Sequence, residues 1–240
     1  MTHFSVVLPQ ANTTVERDFS QLAAASLHFT FHRFAAVTPE PGIPGGFLQL
    51  LGNTRKAIRD AATTAVASTP DGLIIATSAE TFWAGVAGNA EFESRLSELT
   101  DINITTGASA CDAALIELQA TKIALLTPYP VNAERETRTF FDEAGYEVVR
   151  VHDLRCRDAA SIAAITYAQL EIAMKELAGD DIDAVVQVGT NLDVVPHLET
   201  LEAAIGTPIV AINAASIWHA ARSAGIADQL APTGVLLNTR

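Results

Sequence analysis

Short apolar runs alternate along the chain with longer stretches in which apolar residues recur every three or four positions. Runs such as Leu73-Ile74-Ile75 are apolar throughout, which is typical of strands covered by helices on both faces. The alternation predicts βαβ units and a parallel sheet. The predicted strands are Phe4–Leu8, Leu27–Phe34, Gly72–Ala76, Asp101–Thr105, Lys122–Leu126, Tyr146–Val151, Ala184–Val188 and Pro208–Ile212. The predicted helices include Thr14–Ala25, Thr54–Ala67, Ser109–Gln119, Ala133–Ala144, Ala160–Ala178 and Ala214–Ala224.

The order of strands repeats within the chain. Four strands of the second half follow those of the first at offsets between 107 and 119 residues. This predicts an α/β fold of two pseudo-symmetric, flavodoxin-like halves, each with a parallel sheet, and a cleft between them. We place the N-terminal half at residues 1–120 and the C-terminal half at 121–233. A last strand, Gly234–Leu237, is expected to cross back to the first half.

Four loops are expected to face one another across that cleft. They follow the first and third strands of each half, at residues 9–14, 77–80, 127–132 and 189–191, and are polar or rich in Gly and Pro. Ligands of parallel α/β sheets bind beyond such strand ends, where helix N-termini attract anions. No loop matches a dinucleotide or phosphate fingerprint, which favours a small carboxylate. For any single loop, helix capping is the simpler interpretation.

Charge and cysteine content narrow the function classes. The 240 residues include 15 Lys and Arg against 28 Asp and Glu, a formal net charge of −13. This balance argues against nucleic acid and against an anionic membrane surface as partners. Two cysteines are too few for a disulfide framework or a zinc cage. Without an evident signal peptide or spanning segment, we expect a cytoplasmic protein with no metal and no cofactor.

The loop sequences also resemble a known family. Val6–Pro9 with the following Asn12-Thr13-Thr14, then Asp71–Ser78, Lys122–Tyr129 and Thr207–Asn213, occur in the order found in that family. They resemble the maleate cis–trans isomerase and arylmalonate decarboxylase branch of the aspartate/glutamate racemase superfamily. The resemblance implies two pseudo-symmetric α/β halves, cofactor-independent chemistry on a small carboxylic acid, and a homo-oligomer.

The same resemblance implies one or two cysteines in the cleft, which serve the family as base, nucleophile or proton donor. By position these fall on Ala76 and on Gly189, or on Val188 if the alignment shifts by one residue. Neither position carries a thiol, whose tunable pKa is what such chemistry uses. Thiol-based racemisation and isomerisation are therefore disfavoured.

The two cysteines that the chain does contain offer limited replacements. Cys111 shares the apolar stripe of a predicted helix, which indicates a core residue. Cys156 lies between Arg155 and Arg157, whose charges would lower the pKa of an exposed thiol. Its loop is expected near the cleft rim, so a thiol enzyme that uses Cys156 stays open beside an idle surface thiol.

The candidate site takes its residues from the four loops. The catalytic candidates are Tyr129, Glu80 and Thr77, and the substrate-binding candidates are Asn12, Ser78, Gly189, Thr190 and Asn191. Hydroxyl, amide and backbone N–H donors suit a developing oxyanion. Glu80 would act as a general base if burial raised its pKa, although a first-turn Glu is also a plain helix feature. Tyr129 would donate a proton if neighbours lowered its pKa.

Three residues are weaker candidates, and one loop has two interpretations. His197, His219 and Asp193 are predicted to lie farther from the ligand or to serve a helix terminus. The turn-rich segment Thr38–Gly46 is either a lid over the cleft or a rigid surface loop.

The sequence thus predicts an enzyme that acts on a small carboxylic acid or amide. The reaction proceeds through an oxyanion or enediolate and is lyase- or hydrolase-like, because both family cysteines are missing. Two alternatives stay open. One is a maleate isomerase-type isomerase that uses an unrecognised group, and the other is a catalytically inactive protein that binds a small acid.

Overall fold

The N-terminal half contains a parallel four-stranded sheet. The computed structural model describes residues 1–35, 46–129, 131–228, 230 and 234–239, without the side chains of 46–48 and 131–133. The elements of this half are β1 (Thr2–Pro9), α1 (Val15–Leu22), β2 (Leu27–Phe34), α2 (Gly46–Ala65), β3 (Gly72–Ile75), α3 (Ala79–Phe82), α4 (Gly85–Thr100), β4 (Ile104–Thr106) and α5 (Gly107–Glu117). The strand order is β2-β1-β3-β4.

The C-terminal half repeats this topology. Its elements are β5 (Lys122–Thr127), α6 (Val131–Glu143), β6 (Glu147–Asp153), α7 (Ala159–Ala163), α8 (Tyr167–Leu177), β7 (Ala184–Gln187), α9 (Leu198–Ile205), β8 (Ile209–Ala211) and α10 (Ile212–Ser223). The order β6-β5-β7-β8 is the counterpart of β2-β1-β3-β4, and all pairs are parallel. The predicted fold of two pseudo-symmetric α/β halves is therefore confirmed.

The two halves share a continuous core. Strands β3, β7 and β8 are buried along their whole length, because helices cover both faces of each sheet. Helices α5 and α10, which follow the last strand of each half, pack against each other, and α10 also packs on α1. Helix α6 of the second half also contacts α4 of the first half. The Glu143 carboxylate of α6 accepts a hydrogen bond at 2.9 Å from the Val86 N–H, in the first turn of α4.

Two predicted elements differ from the observed ones in number or in type. The helix predicted at Ala160–Ala178 is two helices, because capping boxes at Asp158 and Thr166 each begin a new one. The strand predicted at Gly234–Leu237 is absent, since a 3₁₀-helix occupies Leu236–Asn238 instead. Both leucines of that run are buried, and a short apolar run does not distinguish a strand from a helical turn.

The C-terminal segment is fixed by a buried carboxylate. Glu202 of α9 accepts one hydrogen bond from the Ile209 N–H at 2.8 Å and another from the Val235 N–H at 2.9 Å. The indole N–H of Trp218 donates to the Thr239 hydroxyl at 3.1 Å. These bonds hold the chain end against α9 and α10. The segment Thr38–Gly46, predicted as a lid or surface loop, lies outside the described residues except at Gly46, where α2 begins.

Candidate active site

A cleft of about 270 Å³ opens between the halves at the carboxyl ends of β1, β3, β5 and β7. It is lined by Pro9, Asn12, Thr77, Ala79, Glu80, Tyr129, Cys156, Arg157, Asp158, Ala159, Ile162, Thr190 and Asn191. Six of the eight residues proposed from sequence therefore lie on one wall or the other. The exceptions are Ser78, which is buried next to the Tyr129 phenol, and Gly189, which is buried beneath the loop after β7.

Glu80 is the carboxylate that reaches into the cleft from the first half. The Thr77 hydroxyl donates to its Oε2 at 2.5 Å, which uses the only hydrogen of that hydroxyl. Thr77 consequently orients Glu80 and has no proton left for a ligand. The backbone carbonyl of Glu80 accepts a hydrogen bond from Arg55 Nη2 of α2 at 3.1 Å, which fixes the start of α3.

Tyr129 faces Glu80 from the second half. Burial raises the pKa of its phenol, and the charge of Glu80 acts in the same direction, while the Ser78 hydroxyl opposes them. The shift is opposite to the lowered pKa required by the sequence-based prediction of proton donation. The phenol keeps its proton and can offer it as a hydrogen bond.

Ser78 carries an unused hydroxyl at the back of the site. Its Oγ is buried and has no hydrogen-bond partner among the described residues. The Tyr129 phenol is close enough for the Ser78 hydroxyl to lower its pKa, but the two groups do not meet hydrogen-bond geometry. A buried hydroxyl without a partner costs free energy, commonly about 1–3 kcal/mol. Because Ser78 is not on the cleft wall, a ligand satisfies this hydroxyl only if it displaces the groups that cover it.

Asn12 and Thr190 meet across the cleft. Asn12 Oδ1 accepts from the N–H groups of Thr14 and Val15 at 2.9 and 3.0 Å and so caps α1. Its Nδ2 donates to the Thr190 hydroxyl oxygen at 3.2 Å. The Thr190 hydrogen finds no acceptor among the described residues and is available to a ligand. Arg33 supports this loop by donating to the Asn12 carbonyl at 2.8 Å.

Asn191 joins the two halves instead of presenting a free amide. Its Oδ1 accepts from the Thr13 N–H at 2.8 Å, and its Nδ2 donates to the Ala159 carbonyl at 2.8 Å. The Thr14 hydroxyl donates to the Asn191 carbonyl at 3.1 Å. Both ends of the amide therefore hold protein groups, and Asn191 fixes α7 and the start of α1 to the loop after β7.

Gly189 leaves no space for a side chain. Its carbonyl accepts from Gln187 Nε2 at 2.7 Å, and a methyl group on its Cα would lie 2.6 Å from Pro128 Cγ. Val188 and Ala76 are buried in the core. None of these three residues lines the cleft, so the correspondence with family cysteines stays a prediction, and the structure gives Gly189 no place on the wall of the cleft.

The two thiols lie in different environments. Cys111 of α5 is fully buried, as predicted, and burial raises its pKa. Cys156 is on the cleft wall, where burial and the nearby Asp153 and Asp158 raise its pKa. This shift is opposite to the one expected from its flanking arginines. Both thiols are held in the protonated form, which is a poor nucleophile.

The α7 wall of the cleft is not among the residues predicted from sequence. Asp158 caps α7 by accepting from the Ser161 N–H at 2.8 Å, and Ala159 and Ile162 supply apolar surface. Arg157 is the only cationic side chain on the described wall. The signal was present: Asp158 and Ser161 have the spacing of a capping box, which marks a helix start beside Cys156.

The weaker candidates lie away from the cleft wall. The His197 ring packs against Tyr167, with centroids 4.9 Å apart, and burial lowers the pKa of His219 on α10. Asp193 pairs with Arg17 at 2.6 Å.

Within the described ranges, no three His, Cys, Asp or Glu side chains are grouped so that they could hold a metal ion. None of the helices in that part of the chain is long and apolar enough to cross a bilayer.

The chain thus has two matching parallel α/β halves and a cleft between them in which hydroxyl donors face the Glu80 carboxylate. Several enzymes of known structure share this fold. The sequence profile of arylmalonate decarboxylase matches residues 6–237. The chain therefore belongs to the arylmalonate decarboxylase family and is an enzyme of that family, as the sequence predicted.

Individual relatives are distant in sequence and close in structure. The maleate isomerase of Nocardia farcinica (strain IFM 10152) is 24% identical over 248 residues, which are 97% of this chain and 94% of that protein. A mutant of the N. farcinica enzyme with a covalently bound succinylcysteine intermediate superposes with a TM-score of 0.88 at 21% identity, covering 98% of both chains. A liganded double mutant of arylmalonate decarboxylase gives 0.84 at 22% identity over 99% of both.

Proposed function

We propose that the chain is a cofactor-independent enzyme that converts a small carboxylic acid or amide through an enediolate or related oxyanion held in the cleft. One observation carries this proposal: the Tyr129 and Thr190 hydroxyls, whose hydrogens have no acceptor among the described residues, line a cleft with the Glu80 carboxylate, and the buried Ser78 hydroxyl lies behind Tyr129. Preorganised donors of this kind stabilise negative charge as it develops on oxygen. A structure of the Pseudomonas putida S16 maleate isomerase holds maleate, which supports a small carboxylate as ligand.

Tyr129 is the principal donor to the oxyanion. Its raised pKa keeps the phenol protonated at neutral pH, so it donates a hydrogen bond instead of acting as a base. Thr190 supplies a second donor from the loop after β7, and the buried Ser78 hydroxyl, from the first half, lies behind the Tyr129 phenol. Backbone N–H groups at the start of α3 lie beside them.

Glu80 is the proton-transfer group of this proposal. Its Oε2 is held by Thr77, which leaves the carboxylate oriented towards the cleft. In a lyase-like reaction on a malonate, the bond from the central carbon to one carboxylate breaks, that carboxylate leaves as CO₂, and the electron pair moves into the remaining carboxyl group as an enediolate. A proton from solvent, relayed by Glu80, then reaches the central carbon. In a hydrolase-like reaction on an amide, Glu80 takes a proton from water as that water adds to the carbonyl carbon, and it gives the proton to the amide nitrogen as the C–N bond breaks.

A maleate isomerase-type reaction is the second candidate, because Cys156 lies on the cleft wall. That reaction would need a thiolate, and the raised pKa of Cys156 opposes its formation. We therefore place this reaction second.

The test is turnover of a panel of malonates, maleate, maleamate and cyclic amides. We expect one of them to be converted, and Tyr129→Phe and Glu80→Gln each to lower kcat by roughly 10²–10³-fold. Tyr167→Phe is the matched control, since Tyr167 packs on His197 outside the cleft, and it should keep kcat within about twofold.

The same panel separates the alternatives. Full activity of Cys156→Ala agrees with the proposal, whereas its loss would favour the thiol isomerase. Absence of turnover, together with thermal stabilisation by one of the acids, would show a protein that only binds its ligand.

A further inference from the structure

Asp18 is a buried carboxylate that the proposed reaction does not use. It lies on α1 and is completely inaccessible to solvent, yet it is not part of the cleft wall. Its Oδ2 accepts a hydrogen bond from Asn213 Nδ2 at 2.8 Å, while its Oδ1 is 3.4 Å from Arg17 Nη2. A buried carboxylate with so few donors is costly, so stability alone does not account for its presence.

Asn213 connects Asp18 to the site. It lies in the first turn of α10, and its Nδ2 donates both to Asp18 and to the Thr190 carbonyl, the latter at 3.0 Å. An ionised carboxylate and a carbonyl only accept hydrogen bonds, so the amide nitrogen has to face both of them. The two hydrogens of one nitrogen thus join α1 to the loop after β7.

The residue at the end of this connection is part of the cleft. Thr190 lines the cleft, and its hydroxyl oxygen accepts from Asn12, which directs its hydrogen elsewhere. The position of the Thr190 backbone therefore decides where that hydrogen points. An outer ion pair, Arg17 with Asp193, also ties α1 to this loop, but it is partly exposed and contributes little.

We propose that Asp18 is a positioning residue of the site: its carboxylate fixes Asn213, and Asn213 holds the Thr190 backbone so that the Thr190 hydroxyl faces the ligand. The effect on a ligand rests on the proposed function, whereas the hold on the loop does not. The two parts can therefore fail separately.

Hydrogen exchange of residues 188–193 tests the hold on the loop without any ligand. Asp18→Ala should speed exchange there at least tenfold, and Asn213→Ala, which removes the bridge itself, should do the same. Asp18→Asn keeps a carbonyl acceptor and should stay within about threefold of the wild type. Asp60→Ala is the control, since Asp60 forms an exposed pair with Lys56 on α2. Unchanged exchange at 188–193, or a uniform rise over the whole chain, would overturn the proposal.

A titration of the wild-type protein covers the case in which the alanine variants do not fold. The ¹³C carboxyl signal of Asp18 and the amide signal of Thr190 should titrate together with a midpoint near 6, because burial raises the pKa of Asp18 to about 6. The charged groups around it are Arg17 on α1 and Asp193 on the loop after β7, and α10 presents the uncharged Asn213. A Thr190 signal that ignores this titration would contradict the connection.

The ligand measurement separates this inference from the proposed function. If an acid from the panel binds, Asp18→Ala should weaken its Kd about tenfold and Asp18→Asn should largely restore it. Equal affinity in all variants would overturn the positioning role. If no acid binds but exchange at 188–193 responds as expected, the proposed function fails and the hold on the loop stands.

Discussion

Replacing Asp18 by asparagine should stabilise the protein relative to the wild type, and this difference in stability should grow as the pH rises. Asparagine keeps a carbonyl that can accept from Asn213, but it has no charge to bury. In the native protein, burial raises the pKa of Asp18 from 3.8 to about 6. Because the folded-state pKa is raised, the contribution of this group to stability is complete below about pH 4. It is lost as the pH rises through 6.

The magnitude follows from the two pKa values. The ionised carboxylate costs the folded state about 1 kcal/mol at pH 4.5 and about 3 kcal/mol at pH 7.5. The free energy of unfolding of Asp18→Asn minus that of the wild type should therefore increase by about 2 kcal/mol over this interval. A constant offset from altered hydrogen bonds, about 1 kcal/mol, cancels in the comparison.

Urea unfolding followed by the fluorescence of Trp83 and Trp218, at intervals from pH 4.5 to 7.5, measures this difference. Asp60→Asn should show a flat difference, because Asp60 is exposed. A flat or falling difference for Asp18→Asn would refute the reasoning, since it would mean that Asp18 is not a costly buried charge.

Three other substitutions or reagents test separate parts of the structure. Gly189→Ala should lower the free energy of unfolding by about 1–3 kcal/mol, because its methyl group would lie 2.6 Å from Pro128 Cγ; an unchanged urea midpoint would contradict this. Alkylation of Cys156 by iodoacetamide should be slow at pH 7 and rise steeply above pH 9, because burial raises its pKa. Rapid reaction at pH 7 would be inconsistent with that environment. Glu202→Gln leaves one acceptor oxygen for the two backbone N–H groups that Glu202 binds and should cost about 1–3 kcal/mol in the same unfolding assay. Equal stability would show that Glu202 does not hold the C-terminal segment.

Much of the fold follows from hydrophobic periodicity, because parallel strands buried on both faces give short uniform apolar runs. The bounds predicted for β2, Leu27–Phe34, are those observed. The run predicted at Asp101–Thr105 begins three residues late, at Ile104, because Asp101 has a left-handed φ of 58° and closes α4 by donating its N–H to the Ser97 carbonyl. The start of β4 is therefore set by the turn at Asp101, and the pattern of apolar residues does not reveal that turn.

The roles within the site depend on distances that the sequence does not contain. Convergence of the four loops follows from the duplicated topology, and six of the proposed residues do line one cleft. Which hydroxyl retains a free hydrogen does not follow from topology. The Thr77 hydroxyl donates its hydrogen to Glu80, and both ends of the Asn191 amide are hydrogen-bonded to backbone groups. The Thr190 hydroxyl only accepts a hydrogen bond, so its hydrogen is available to a ligand. These differences arise from contacts between segments as much as 178 residues apart.

The central claim is that hydroxyls from both halves hold the oxygens of a small acid beside Glu80. A crystal structure with a bound acid from the panel, or with an unreactive analogue of a converted one, tests it most directly. We predict a carboxylate or amide oxygen within about 3.2 Å of the Tyr129 hydroxyl and of either Ser78 Oγ or Thr190 Oγ1. An acid bound outside the cleft, or one whose oxygens point away from all three hydroxyls, would contradict it.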